Sequence, residues 1–250
     1  EQHPLKMTVV GSNPTEPTGD YMSDEIFLNL WPIDINIFDD LPKILKIKMK
    51  ILMELKSPWE FLDLLIHSMT IQINSRYISS KTQIHQYVDI TGPVWIEEGV
   101  KIMSFTTIKG PAYIGKNVII GNNSLIRESI ILDNSLVGYS SEVARSFIGK
   151  ESKFHRNTVL DSFISNNVNM GGMAGTANRR LDGKSIKSDS VENRIDTHRL
   201  RLGAFIGQNT IIGARTQTMP GVKIGTGCMI FPNSVIFNDV VDNSRVCQKK

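Results

Sequence analysis

The chain has 250 residues, 40% of them hydrophobic, and a formal net charge of +3, values that place it among globular proteins and leave too little charge excess to argue for a nucleic-acid partner. Every apolar run is broken by charge or proline before the length a bilayer needs, and the N-terminus lacks the basic, apolar and small-residue order of a signal peptide, so a cytoplasmic address is expected. Cys228 and Cys247 are too few for a disulfide framework and lack zinc-site spacing; both are read as reduced thiols.

In chain order, "GSNPTEPTGD" reads as loop, and "IFLNLWPIDINIFDDLPKILKIKMKILMEL" mixes apolar and polar residues without one period, which suggests a small α or α+β appendage. "SPWEFLDLLIHSM", residues 57 to 69, has serine in the N-cap place, proline just inside, Glu60 in the capping-box place and an apolar stripe at Phe61, Leu64 and Leu65. It is expected to be a helix capping the first coil of the main domain. The boundary between appendage and main domain is set at residues 75 and 76.

From Ile78 an isoleucine recurs every six residues, at 84, 90, 96, 102, 108, 114, 120 and 126, and Leu132 continues the series. After a slip of one residue come Val137 and Val143, a looser stretch, Ile164 and Met170, and finally Ile206, Ile212, Thr218, Ile224, Ile230 and Ile236. A period of six is neither helical nor simple strand alternation, so the unit is a short strand plus a corner, and three units close a triangular coil. Stacked coils set each apolar side chain above the one eighteen residues earlier. That is the hexapeptide parallel β-helix pattern, an all-β fold. Glycine following many of the beats, as in "IGKNVI" and "IGNNSL", is expected to supply corner backbone angles.

Within the beat, "KFHRNTVLDSFISNNVNMGGMAGTAN", residues 153 to 178, crowds a histidine, several asparagines and glycines into two coils. Taken alone, Asn169 suits an asparagine ladder inside the coils. The segment from Arg179 to Arg201 then holds seven basic residues against four acidic ones, an excess equal to that of the whole chain. It is a solvated loop or a landing place for phosphates. Cys228 falls at a small inward position and Trp95 on the coil surface or at a subunit contact. The five histidines, 3, 67, 85, 155 and 198, are too scattered to make the metal site of a β-helix carbonic anhydrase.

"NNVNMGGMAGTAN", "RLGAFIGQNT" and "MPGVKIGTGCMIFPNSVIFNDV" resemble, in order and spacing, the coil motifs of the acetyltransferase half of bifunctional sugar-1-phosphate nucleotidylyltransferases, and "GPAYIGKNVIIGNNSLIR" resembles the segment opening that family's acceptor site. The resemblance runs from about residue 88 to 240 and implies a left-handed β-helix. By resemblance His155 is the catalytic base, fourteen residues before the sugar-contacting Asn169, and Asn178, nine further on, contacts the acetyl group. Arg127 in "LIRES" holds the sugar phosphate. Arg145 stands beside Ala144, which takes the place of a phosphate-reaching lysine; Thr158 replaces a sugar-binding tyrosine. The donor-contacting serine falls on Gln208, near Ala204, while Gly172 and Pro232 complete the expected acetyl-CoA contacts. The resemblance further implies an amino-sugar phosphate acceptor, a groove between subunits and hence a homotrimer. Residues 1 to 77 lack the glycine-rich nucleotide loop, so nucleotidylyl transfer is not expected of this chain by itself. The alternative is a catalytically silent β-helix serving as an assembly or regulatory subunit.

Overall fold

A computed structural model describes residues 8–10, 29–34, 36–45, 47, 51, 54–189 and 194–247. The "GSNPTEPTGD" loop lies outside the described residues. From Tyr77 onward the chain is a left-handed parallel β-helix of about nine coils, whose two- and three-residue strands align into three parallel sheets.

The three sheets form the sides of a triangular prism. One, the covered face, includes Val94–Ile96, Ala112–Ile114, Ile130–Ile131, Phe147–Ile148, Phe163–Ile164 and Phe205–Ile206. The next along the chain, the back face, includes Lys153–Phe154, Asn169–Met170, Ile211–Ile212 and Met229–Ile230. The third, the front face, includes Leu125–Arg127, Glu142–Ala144, Thr158–Leu160, Gly175–Thr176 and Gln217–Thr218. Each strand pairs with those one coil away, Ile114 with Ile96 and Ile131, Val143 with Ile126 and Val159. Inward side chains such as Ile102, Ile120, Phe154 and Ile164 are wholly buried, a burial that contributes about 1.5–3 kcal/mol per large side chain.

The beat shortens one residue earlier than its sequence suggests. Ile131, not Leu132, points inward and pairs with Ile114, while Leu132 turns outward to pack beneath the appendage. The corners are closed by buried hydroxyls. Ser135 Oγ donates to Gly149 O at 2.9 Å and accepts from Ser152 N at 3.2 Å, and Ser152 repeats the pattern one coil on. Such bonds satisfy backbone groups that a corner leaves without a ladder partner.

The glycines have a different reason from the one expected. Gly121 has ordinary backbone angles, but a Cβ there would lie 2.5 Å from Tyr139 N of the next coil; at Gly149 it would lie 2.5 Å from Ser165 C. The left-handed angle belongs to the residue two further on, Asn123 with φ 59° and Glu151 with φ 60°. Close coil approach selects the glycine, and asparagine, which tolerates positive φ, serves the turn.

The helix Pro58–Gln72 forms as its N-terminus predicts: Ser57 Oγ accepts from Glu60 N, and Glu60 Oε2 accepts from Lys56 N at 2.7 Å. Its buried stripe is Phe61, Leu62, Leu65 and Met69. The expected position over the first coil is not the observed one. The helix lies along the covered face, with the Phe61 ring 5.5 Å from Phe163, itself stacked 4.5 Å from Phe147, and Trp59 edge-on to Phe205. Outward aromatics on that face give the stripe more area to bury than the end of the prism does. The segment before it crosses several coils: Asp40 accepts from Lys150 Nζ at 2.6 Å and Asn166 Nδ2 at 2.5 Å, and Asp34 from Gln208 Nε2 at 2.6 Å. Trp95, on the same face, stacks 4.3 Å from Tyr77 and donates to Glu97 at 2.9 Å. Thr8–Val10 adds antiparallel to Arg245–Cys247 and covers the last coil of the back face.

Gly121→Ala therefore lowers stability by about 1–3 kcal/mol, the usual cost of overpacking, whereas Asn123→Gly leaves it within about 1 kcal/mol because glycine adopts the same turn. Thermal melts of the two variants check this; equal losses would show that the turn, and not the approach of the coils, selects the glycine.

Candidate functional site

His155, Gly172, Pro232, Thr158, Arg127, Arg145 and Asn178 fall on the front face and its two edges, whereas Asn169, Ala204 and Gln208 do not. His155 follows the back-face strand Lys153–Phe154 and precedes the front-face strand Thr158–Leu160, so it occupies the front/back edge. It is exposed, and with Gly172 and Pro232 it lines an open cleft of about 490 Å³, together with Tyr139, Met173 and Arg215. Gly172 leaves room there: a Cβ would meet only His155 O, at 3.6 Å. Tyr139 is held under the guanidinium of Arg156, 5.9 Å from its ring centre.

Asn178 occupies the opposite, front/covered edge. It follows the front-face strand Gly175–Thr176, accepts Leu202 N at 3.0 Å through its backbone carbonyl, and donates from Nδ2 to Asp161 Oδ2 at 2.5 Å. Arg145 shares that carboxylate, with Nε 2.5 Å from Oδ1 and Nη2 2.8 Å from Oδ2. This bond raises the guanidinium pKa above its ordinary value and keeps Arg145 charged. Arg127, one coil earlier on the front face, holds Glu142 Oε1 at 2.7 Å. Between the edges lies the floor of the face. Thr158 is exposed on it, whereas Ala144 is fully buried.

The strand Thr158–Leu160 thus separates His155 from the Asp161–Asn178 contact, about 10 Å of extended chain. Within one protomer the histidine and the asparagine do not converge on one atom. Asn169 lies outward and exposed on the back face, paired with Lys153 and Ile211, so it is not the interior ladder residue its context suggested. Ala204 and Gln208 join neither edge group. Ala204 is fully buried with the inward side chains of the coils, and Gln208, at the covered/back edge, is bound to Asp34 of the appendage.

The basic segment is an insertion of the front/covered edge, between Thr176 and Phe205, folded as the antiparallel hairpin Lys187–Asp189 and Arg194–Asp196. Much of its charge is internally balanced. Arg180 holds Asp182 at 2.6 and 2.9 Å and keeps that carboxyl well below its usual range, and Arg199 grips Asp63 of the helix at 2.7 and 2.5 Å. Arg179, Lys187 and Arg194, the last 3.8 Å from Asp189, line a cavity of about 420 Å³ with Met219 and Phe237.

Residues 90–196 match the family model described as the GMPPB C-terminal domain, and residues 203–238 the bacterial transferase hexapeptide model of six repeats. The chain is thus a left-handed β-helix that carries hexapeptide repeats. A bifunctional sugar-1-phosphate nucleotidylyltransferase/acetyltransferase of Sulfurisphaera tokodaii is 37% identical over 190 residues, 75% of this chain and 47% of that protein. A bifunctional protein GlmU of Methanocaldococcus jannaschii is 36% identical over 194 residues, 77% of this chain and 46% of that one. The chain spans about half the length of the curated relatives it matches. Among solved structures, an N-acyltransferase, AntD, of Bacillus cereus, in complex with dTDP-4-amino-4,6-dideoxyglucose and coenzyme A, is 16% identical with a TM-score of 0.33, covering 70% of this chain and 80% of that one.

In this hexapeptide β-helix three polar residues escape a reading of the sequence. Asn157, buried, donates its amide to Gly171 O at 2.8 Å and Ala174 O at 2.9 Å, and is the true interior asparagine of the corner beside His155. Glu142 and Asp161 are the partners of both candidate phosphate-binding arginines. Each lies one coil beyond its arginine, fifteen or sixteen positions along, a spacing visible only once the coil length is known. Among the described residues no helix is long and apolar enough to cross a membrane.

Proposed function

We propose that the chain is an acetyl-CoA-dependent N-acetyltransferase acting on an amino-sugar 1-phosphate, with His155 as general base. The observation that carries the reading is His155 itself: an exposed imidazole opening, beside Gly172 and Pro232, into a solvent cleft on the edge of the front face. Acyl transfer to nitrogen requires the amine to attack neutral. As the new N–C bond forms and the C–S bond of the thioester breaks, the amine loses one proton, which the imidazole takes and delivers to the departing sulfur. The charge that grows on the carbonyl oxygen needs donors already in place. The acceptor's phosphate suits the guanidinium forks of Arg127 and Arg145, with Thr158 exposed on the floor of the face, whereas Asn169, outward on the back face, lies off that floor. Phosphates of the donor suit Arg179, Lys187 and Arg194, and the apolar floor at Met219 and Phe237 suits a base.

Because His155 and Asn178 lie on opposite edges of one face, a complete site pairs the histidine edge of one protomer with the asparagine edge of the next, in a closed trimer. The silent-subunit alternative draws on one observation: Arg127 and Arg145 are both already paired with carboxylates.

Purified protein incubated with acetyl-CoA and glucosamine 1-phosphate or galactosamine 1-phosphate should release free thiol; none from a panel of amino sugars would favour the silent subunit. His155→Ala should lower turnover about 100-fold or more with assembly and melting unchanged, and joint loss of assembly would make the histidine structural. Co-refolding His155→Ala with Asn178→Ala should restore about a quarter of the wild-type activity, the share of interfaces in randomly mixed trimers with both residues intact. A mixture as inactive as its components would place both residues in one protomer's site.

A further inference from the structure

The front/covered edge is organised around Asp161, which the transferase reading leaves without a role. Asp161 is 8% exposed and sits at a corner with φ 48°. Its carboxylate takes three charge-assisted or amide hydrogen bonds: Arg145 Nε on Oδ1, and both Arg145 Nη2 and Asn178 Nδ2 on Oδ2. Its backbone is fixed on both sides, its N donating to Ala144 O at 2.9 Å and its O accepting Gly203 N at 2.7 Å. Gly203 has no room for a Cβ, which would overlap Leu160 O and Ser162 Oγ. The carboxylate therefore cannot drift, and the two side chains it holds are those that the transferase reading gives to the acceptor and to the acetyl group.

We propose that Asp161 is a positioning residue that sets which face of Asn178 the reacting groups meet. A carboxylate repels a carbonyl oxygen and binds an amide N–H, so the Asn178 amide is locked with its nitrogen toward Asp161 and Oδ1 directed away from it. Asn178 then offers the groove a hydrogen-bond acceptor and at most one remaining N–H. It is suited to receive an N–H of the attacking amine, and the developing oxyanion falls to backbone N–H groups. The same carboxylate occupies Nε and one Nη2 hydrogen of Arg145, which leaves Nη1 as its free fork end for an acceptor phosphate. The proposal rests on the acetyl-transfer reading for the names of the ligands, but the Asp161–Asn178 lock stands apart from it.

The test is Asp161→Asn, which keeps the shape but sets an amide group where three donors converge, so that one of them faces another donor. With both substrates varied, the variant should lose about 10- to 100-fold in kcat and raise the acceptor KM about tenfold, while the KM for acetyl-CoA stays within about twofold. Lower kcat with both KM values unchanged would mean that the residue only maintains the fold, and would overturn the proposal. If Asp161→Asn fails to assemble, Asn178→Asp interrogates the contact from the other side. Two carboxyls at that distance must share a proton, so the variant's activity relative to wild type should fall as pH rises; a flat ratio would overturn the lock. If the wild type itself releases no thiol, the acetyl-transfer reading is what fails, and the lock is judged by NMR of ¹⁵N-asparagine-labelled protein. One side-chain amide should be shifted and protected from exchange in the wild type and lose both features in Asp161→Asn. The same amide signal in both proteins would end the proposal.

Discussion

The stacking of one coil on the next governs everything else in the molecule. Because parallel strands pair in register at every coil, Ile96 under Ile114 under Ile131, a residue's place within its coil decides its face or edge and leaves it no freedom to move to another. The apolar ladder makes this arrangement stable, and the corner serines and close-packed glycines make it specific, since a shift of one residue would turn the ladder outward and bury polar groups without partners. The geometry of the candidate site is inherited from that register. His155 is at the front/back edge because Phe154, just before it, fills the coil interior at the end of a back-face strand, and Asn178 is at the other edge because Thr176 closes the front-face strand before it.

The ladder was legible because isoleucine at a fixed interval has no other physical explanation. Less legible was the slip at Ile131, where three apolar residues in a row, Ile130, Ile131 and Leu132, leave spacing alone unable to rank the inward one. The covered face was written in the sequence as doublets, Tyr113-Ile114, Ile130-Ile131, Phe147-Ile148, Phe163-Ile164 and Phe205-Ile206, each with an inward member and an outward one. Outward apolar residues in consecutive coils need a cover, and that signal would have placed the helix on the flank of the prism. At the site, the family resemblance singled out His155 as base and Gly172 and Pro232 as donor contacts, and the three line one cleft. The resemblance did not reveal Asp161 and Glu142, whose partners lie a coil away, nor that Gln208 is spent on Asp34 of the appendage.

Electrostatics refine the reading of the basic segment. A count of charges between residues 179 and 201 suggests an open landing place for phosphates, but the structure pairs Arg180 within its own turn and uses Arg199 to fasten the hairpin to the helix through Asp63. Of the other five, Arg179, Lys187 and Arg194 line one cavity with an apolar floor, and Arg194 lies 3.8 Å from Asp189. The arginines of the front face are likewise held by carboxylates, which costs reach but fixes orientation. A fork anchored on one side presents its free end at a defined angle, and preorganisation of that kind lowers the entropic cost of gripping a phosphate.

On the proposed function, one protomer carries the two halves of a site on separate edges and only a neighbour can join them. Sedimentation equilibrium of the purified chain tests this most directly. A site completed across a closed trimer requires a single species of three times 28.0 kDa; a monomer of 28.0 kDa that still transfers acetyl groups at full rate would contradict it.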